Sequence, residues 1–172
     1  CLRRLCGRTV GSFGLPEPPA EPLAADAEPD YDPEHQEIFV AEHEGRLTAD
    51  QRAVYDEVVA RLTNGTGGVI FLQAPGGCGK TYLENLLLAK VRSEGAVAVA
   101  VATSGIAACL LEGGTTAHYR FRIPLRLHTD DNVCGIARRT PEAALLQACR
   151  LIVWDEAGMA NRAYPADELE GA

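Results

Sequence analysis

Apolar residues recur along this chain at two different spacings, and each change of spacing marks an element. Val54, Tyr55, Val58, Val59 and Leu62 fall at helical intervals until Asn64-Gly65 stops the run. Thr48, with Gln51 three residues later, has the form of a capping box and sets the start of that helix. The apolar stretch within Gly68 to Gln73 reads as the first strand. Leu83, Leu86, Leu87 and Val91 return to helical spacing and predict a helix from Tyr82 to about Ser93. Ala96 to Ala102 is an almost unbroken apolar run, which predicts a strand buried on both faces, as in a parallel sheet. Ser104 to Leu111 is expected to be a short helix, Thr115 to Leu127 irregular or a hairpin, and Thr129 to Asn132 a loop. Thr140 as cap and Pro141 in the first helical position open a helix through Cys149. Leu151 to Trp154 is the third strand. Strands alternating with helices predict an α/β fold with a parallel sheet and right-handed crossovers.

The first quarter of the chain lacks either spacing. Three arginines and no acid occupy residues 1–16, and then Pro16, Pro18, Pro19, Pro22, Pro29 and Pro33 punctuate an acidic, Ala-rich stretch. Residues 17–50 hold eleven acids against Arg46 alone, so most of the formal charge of −8 belongs to this leader. Such a composition buries too little apolar surface to fold alone. Residues 1–45 are therefore expected to be a largely disordered acidic linker, with short elements near Leu2 to Leu5 and Ile38 to Val40, and 46–172 the folded lobe. The net charge excludes a uniformly basic nucleic-acid binder. The six cysteines contain no C-x-x-C pair and no histidine at zinc-ligand spacing, so neither a disulfide framework nor a metal knuckle is indicated. No apolar run approaches the ~18 residues of a membrane span.

The candidate chemistry sits where the first strand meets the second helix. Ala74-Pro75-Gly76-Gly77-Cys78-Gly79-Lys80-Thr81 follows the phosphate-loop pattern G-x-x-x-x-G-K-[ST] except for Ala74 at its first position. Gly76, Gly77 and Gly79 let successive backbone N–H groups turn onto phosphates, and the positive end of the following helix faces the same anion. Lys80 would reach the β- and γ-phosphates of ATP and the Thr81 hydroxyl would hold Mg²⁺. Leu151-Ile152-Val153-Trp154-Asp155-Glu156 places two carboxylates at the end of a buried strand, and ligands gather at the carboxyl ends of strands in open parallel sheets. Asp155 would then join the Mg²⁺ shell, while Glu156 orients and deprotonates the attacking water. A second acid favours a hydrolytic ATPase over a kinase. The alternation of Arg120, Phe121, Arg122 and Ile123 suits either a solvated face or contact with single-stranded DNA, which needs both phosphate contacts and stacking.

Together these stretches resemble the Pif-type (petite integration frequency) DNA helicases, in particular the Helitron-type transposon branch. Leu47 to Gln51 is similar to the family's Q motif, Ala74 to Thr81 to motif I, and Thr103-Ser104-Gly105-Ile106-Ala107-Ala108 to motif Ia. Gly114 to Phe121, with Ile123-Pro124-Leu125, resembles the next family motif, and Asp155 to Met159 resembles motif II. Phe13 to Pro16 and Tyr31 to Glu34 resemble the segment upstream of the Helitron-branch motor. The resemblance implies a RecA-like lobe of an ATP-driven helicase that moves 5′ to 3′ on single-stranded DNA. It also implies work in repair, recombination and telomere maintenance, and a nuclear location. By the same resemblance Gln51 reads the adenine, in competition with its capping role, and Thr103, Ser104 and His118 contact the DNA strand. Arg120 and Arg122 are added to that surface from charge alone.

The chain departs from the family at Cys78 and Gly158, where no catalytic atom is lost. Beyond Arg162 the sequence is expected to leave the family pattern, ahead of a third motif and a second motor lobe. The alternative reading is a catalytically inactive nucleotide- or DNA-binding remnant of a transposon helicase.

Overall fold

A computed structural model of the protein describes the backbone of residues 4–5 and 8–9, and residues 30–124 and 135–160 in full. Most of the expected leader, the loop around Thr129 to Asn132 and the tail beyond Ala160 lie outside the described residues.

At the start of the chain β1 (Arg4–Leu5) pairs antiparallel with β2 (Arg8–Thr9). The lobe itself is a three-stranded parallel sheet in the order β4-β3-β5, with β3 spanning Val97–Ala102, β4 Thr115–Thr116 and β5 Cys149–Asp155. The apolar run of β3 explains its central place, since its two faces pack against different layers. Ala98 and Ala100 meet Leu88, Val91, Leu111 and Val153 on one side. Val99 and Val101 meet Ala117 and Phe121 on the other, with Leu145, Leu146 and Trp154 closing that layer. The alanines let helix α3 (Lys80–Ser93) approach closely, while the valines fill the opposite face.

Helix α2 (Ala49–Asn64) begins where its capping box predicts: Thr48 Oγ1 accepts from Gln51 N–H at 3.3 Å and Gln51 Oε1 from Thr48 N–H at 3.0 Å. It ends at Gly65, whose φ of 63° is left-handed. Tyr55 and Val58 of α2 join Leu83, Leu86 and Leu87 of α3 in a second core. Fully buried Leu86 and Leu88 each contribute roughly 1.5–3 kcal/mol. Helix α6 (Pro141–Ala148) starts on its Thr140 cap as expected.

Three expectations need correcting. Within the stretch expected to be linker, the short element expected near Ile38 to Val40 is an eleven-residue helix, α1 (Pro33–His43), capped by Asp32 and packed on α3 through Val40 and Phe39. Pro33 occupies the first helical position, where its missing N–H costs nothing. Tyr82 Oη donates to His43 O at 2.9 Å, and the buried Arg92 guanidinium stacks 3.7 Å over the Tyr31 ring. Gly68 to Gln73 is not a strand: among the described residues it pairs with no neighbour, and Val69 and Phe71 are 84% and 74% exposed. Left-handed Gly67 and Gly68 turn the chain there, and only Leu72 reaches the core. Finally, the stretch from Thr115, expected to be irregular or a hairpin, forms a short strand and a helical turn within the described residues 115–124. Strand β4 runs into helix α5 (Ala117–Arg120), because the Thr116 side chain caps the Tyr119 N–H.

Candidate active site

The phosphate loop is built by two left-handed glycines. Gly77 at φ 81° and Gly79 at φ 77° give the turn its shape, and a Cβ on Gly79 would meet Gln51 Nε2 at 2.7 Å. A Cβ on Gly76 or Gly77 would meet no atom within 4 Å, so the cradle they line is open. Ala74 is outside the left-handed region, which is why it can stand at the first glycine position of the pattern. Lys80, the first residue of α3, folds back so that Nζ donates to Ala74 O at 2.9 Å. Cys78 Sγ donates to Pro75 O at 2.6 Å.

Gln51 braces this loop from outside. Its Oε1 serves the capping box while Nε2 donates to Cys78 O at 3.0 Å. An amide oxygen has two lone pairs and an amide nitrogen two protons, so one of each remains. An adenine contact, expected to compete with the capping role, would draw on a different lone pair and proton.

The acidic pair closes the site from the sheet. Asp155 ends β5, and Glu156 follows it in the left-handed region at φ 55°, an uncommon conformation for a non-glycine residue. Three contacts hold that turn. Asp155 Oδ1 accepts from Glu156 N–H at 2.8 Å, Thr103 N–H donates to Asp155 O at 3.2 Å, and Thr103 Oγ1 donates to Glu156 O at 2.8 Å. Ser104 Oγ then donates to Glu156 Oε2 at 2.8 Å. Trp154 Nε1 completes the network by donating to Thr103 Oγ1 at 3.0 Å.

Sequence reasoning passed over Glu84, which lies one helical turn after Lys80. It is 9% exposed and its Oε2 has no hydrogen-bond partner. Burial, then the Asp155 carboxylate, pushes its carboxyl up from 4.5 to about 7, against the opposing pull of Lys80. These couplings put Lys80, Glu84 and Asp155 in one electrostatic neighbourhood. The available signal was a lone acid among Leu83, Leu86 and Leu87 on the buried helix face.

The expected DNA residues divide. Thr103 and Ser104 lie together after β3, against Glu156. His118 is half-buried in α5. Arg122 pairs with Glu142 at 3.1 Å. Arg120 is 6% exposed, so the reading of it as a groove-lining cation is corrected: α5 turns it inward, out of the alternation that put it on one face with Arg122. Among the described residues no group of three or more His, Cys, Asp or Glu could hold a metal, and no helix is long and apolar enough to cross a membrane.

A glycine cradle with a lysine, a threonine and a strand-end Asp-Glu pair narrows the chemistry to nucleoside triphosphates, and the comparison with families decides among their users. The family model for PIF1-like helicase matches residues 46–170. The chain belongs to this family. The match runs past Arg162, so the expectation that the family pattern ends there is corrected, while helix α1 precedes the matched span. No curated protein matches the chain. As a PIF1-like helicase domain it falls in a family that uses ATP with Mg²⁺ and binds single-stranded DNA, and its α/β architecture with helices flanking a parallel sheet accords with a RecA-like lobe.

Proposed function

We infer that this chain binds and hydrolyses ATP in response to single-stranded DNA, as the motor lobe of a 5′–3′ helicase. The observation that carries the reading is the joining of two separately encoded motifs. Lys80 at the start of α3 and Asp155-Glu156 at the end of β5 belong to elements that pack on each other through Leu88, Val91, Leu151 and Val153.

Residues present fit the nucleotide and the metal. Gly76, Gly77, Cys78 and Gly79 offer backbone N–H groups and an open cradle, and Lys80 supplies a cation on leaving Ala74 O. Thr81 and Asp155 supply the hydroxyl and carboxylate that commonly hold Mg²⁺ beside a phosphate, which needs no all-protein cluster. Bound Mg²⁺ supplies charge neutralisation at the transferring phosphoryl group. Glu156 would take the proton of the attacking water on a carboxylate oxygen. Gln51 would read adenine with its remaining N–H and lone pair while bracing Cys78. Thr103, Ser104, His118 and Arg122 are the proposed DNA contacts. Membership of the Helitron-type branch, and roles in repair, recombination and telomere maintenance in the nucleus, follow from the sequence resemblance only.

Steady-state ATP hydrolysis by the chain, with and without an oligo-dT strand, tests the reading. Turnover should require Mg²⁺, rise with oligo-dT and vanish in Lys80→Ala. Nucleotide binding without turnover would favour the inactive remnant instead.

A further inference from the structure

The two hydroxyls assigned to DNA contact each carry one proton, and in this structure both protons are committed to Glu156. Thr103 Oγ1 faces the Glu156 carbonyl at 2.8 Å and Ser104 Oγ faces the carboxylate Oε2 at 2.8 Å. A carbonyl and an ionised carboxylate only accept, so the hydroxyls must be the donors. One of the two lone pairs on each oxygen is in use as well, since Thr103 Oγ1 accepts from Trp154 Nε1 and Ser104 Oγ accepts from the Ala107 N–H that it caps. A phosphate oxygen also only accepts. Ser104 therefore cannot donate to a DNA phosphate and to Glu156 at once.

The direction of the restraint follows from the two acids. The Asp155 carboxylate turns back on its own turn, where Oδ1 accepts from the Glu156 N–H at 2.8 Å. The Glu156 carboxylate is drawn instead to the loop after β3, by a residue of the neighbouring strand's end. We propose that Ser104 is a positioning residue that restrains the Glu156 carboxylate, and that a single-stranded DNA phosphate, by taking the Ser104 proton, releases that carboxylate for ATP hydrolysis. The inference rests on the ATPase reading above and adds the means by which DNA would reach the base. No bond forms or breaks other than hydrogen bonds: the proton stays on Ser104 and changes its acceptor.

The test is ATP turnover by the full chain carrying Ser104→Ala, Ser104→Asp or Ser104→Thr, with and without oligo-dT, and with DNA affinity followed separately by anisotropy. Ser104→Asp keeps a side-chain acceptor for the α4 (Gly105–Ala108) cap but brings no proton, so it separates release of Glu156 from loss of the cap. In the absence of DNA, both Ala and Asp variants should raise kcat by roughly fivefold, the factor that a net hydrogen bond of about 1 kcal/mol corresponds to. KM for ATP should stay within about twofold of wild type, because ground-state binding is untouched. The ratio of DNA-stimulated to basal rate should fall in step, and Ser104→Thr should recover the restraint. A DNA-free kcat that is unchanged or lower in both Ala and Asp variants would overturn the proposal. A wild-type chain with no turnover in either condition would overturn the ATPase reading, and this inference with it.

Discussion

Replacing Glu84 with glutamine should make the protein more stable at neutral pH and leave it nearly unchanged in mild acid. The side chain is buried on α3 with Oε2 unpartnered, and burial followed by the Asp155 carboxylate raises its carboxyl from 4.5 to about 7. Below pH 4.5 the acid is protonated in folded and unfolded chains alike, so stability owes nothing to its ionisation. Between 4.5 and about 7 the unfolded chain ionises while the folded one resists, and stability falls as pH rises. Above about 7 the full difference applies, on the order of 3 kcal/mol. Glutamine keeps the shape and cannot ionise. Urea unfolding followed by circular dichroism at pH 5, 6, 7 and 8 should therefore give a variant-minus-wild-type stability that climbs by roughly 2–3 kcal/mol across the series. Titrating groups that do not couple to Glu84 cancel in that difference. A difference that stays flat within about 0.5 kcal/mol would refute both the burial argument and the coupling to Asp155.

Other perturbations probe the remaining parts of the site. Thr48→Ala removes the N-cap of α2 and one half of its box with Gln51, and should cost about 1 kcal/mol in the same unfolding assay; no loss would mean that the cap bonds are not formed in solution. Gly79→Ala forces a Cβ into the left-handed region and to within 2.7 Å of Gln51 Nε2, so binding of a fluorescent ATP analogue should be lost, whereas wild-type affinity would show that the loop does not need this backbone. Thr103→Val removes the acceptor of Trp154 Nε1, the single indole in the chain, and its emission should move to shorter wavelength; superimposable spectra would contradict the Trp154–Thr103–Glu156 relay.

What was legible in the sequence is what depends on local chemistry. The Thr48-Gln51 box, the Thr140-Pro141 start and the glycines at 77 and 79 each state a backbone requirement that neighbouring residues satisfy. The double burial of β3 was readable because an all-apolar strand has nowhere else to go. The misreading of residues 68–73 and of helix α1 involves partners distant in sequence, whereas that of α5 turns on the local Thr116 cap. Residues 68–73 carry strand-like residues, but a strand exists only with a neighbour to bond, and none among the described residues pairs with them. Helix α1 was hidden by the acidic composition around it, although Asp32-Pro33 is itself a start signal and Phe39 and Val40 supply the packing. Arg92 shows the same limit at a single residue. It is buried because Ala98 O, Glu112 O and the Tyr31 ring receive its guanidinium, and helical spacing alone cannot reveal such acceptors.

The site as a whole stands or falls on one nucleotide held by Lys80 and served by Glu156. Isothermal titration of a slowly hydrolysed ATP analogue into the wild-type chain, Lys80→Ala and Glu156→Gln measures this most directly. The account predicts one Mg²⁺-dependent site per chain, lost in Lys80→Ala and retained in Glu156→Gln, because in the proposed mechanism the lysine holds phosphate and the glutamate acts on water. Equal affinity in wild type and Lys80→Ala would contradict it.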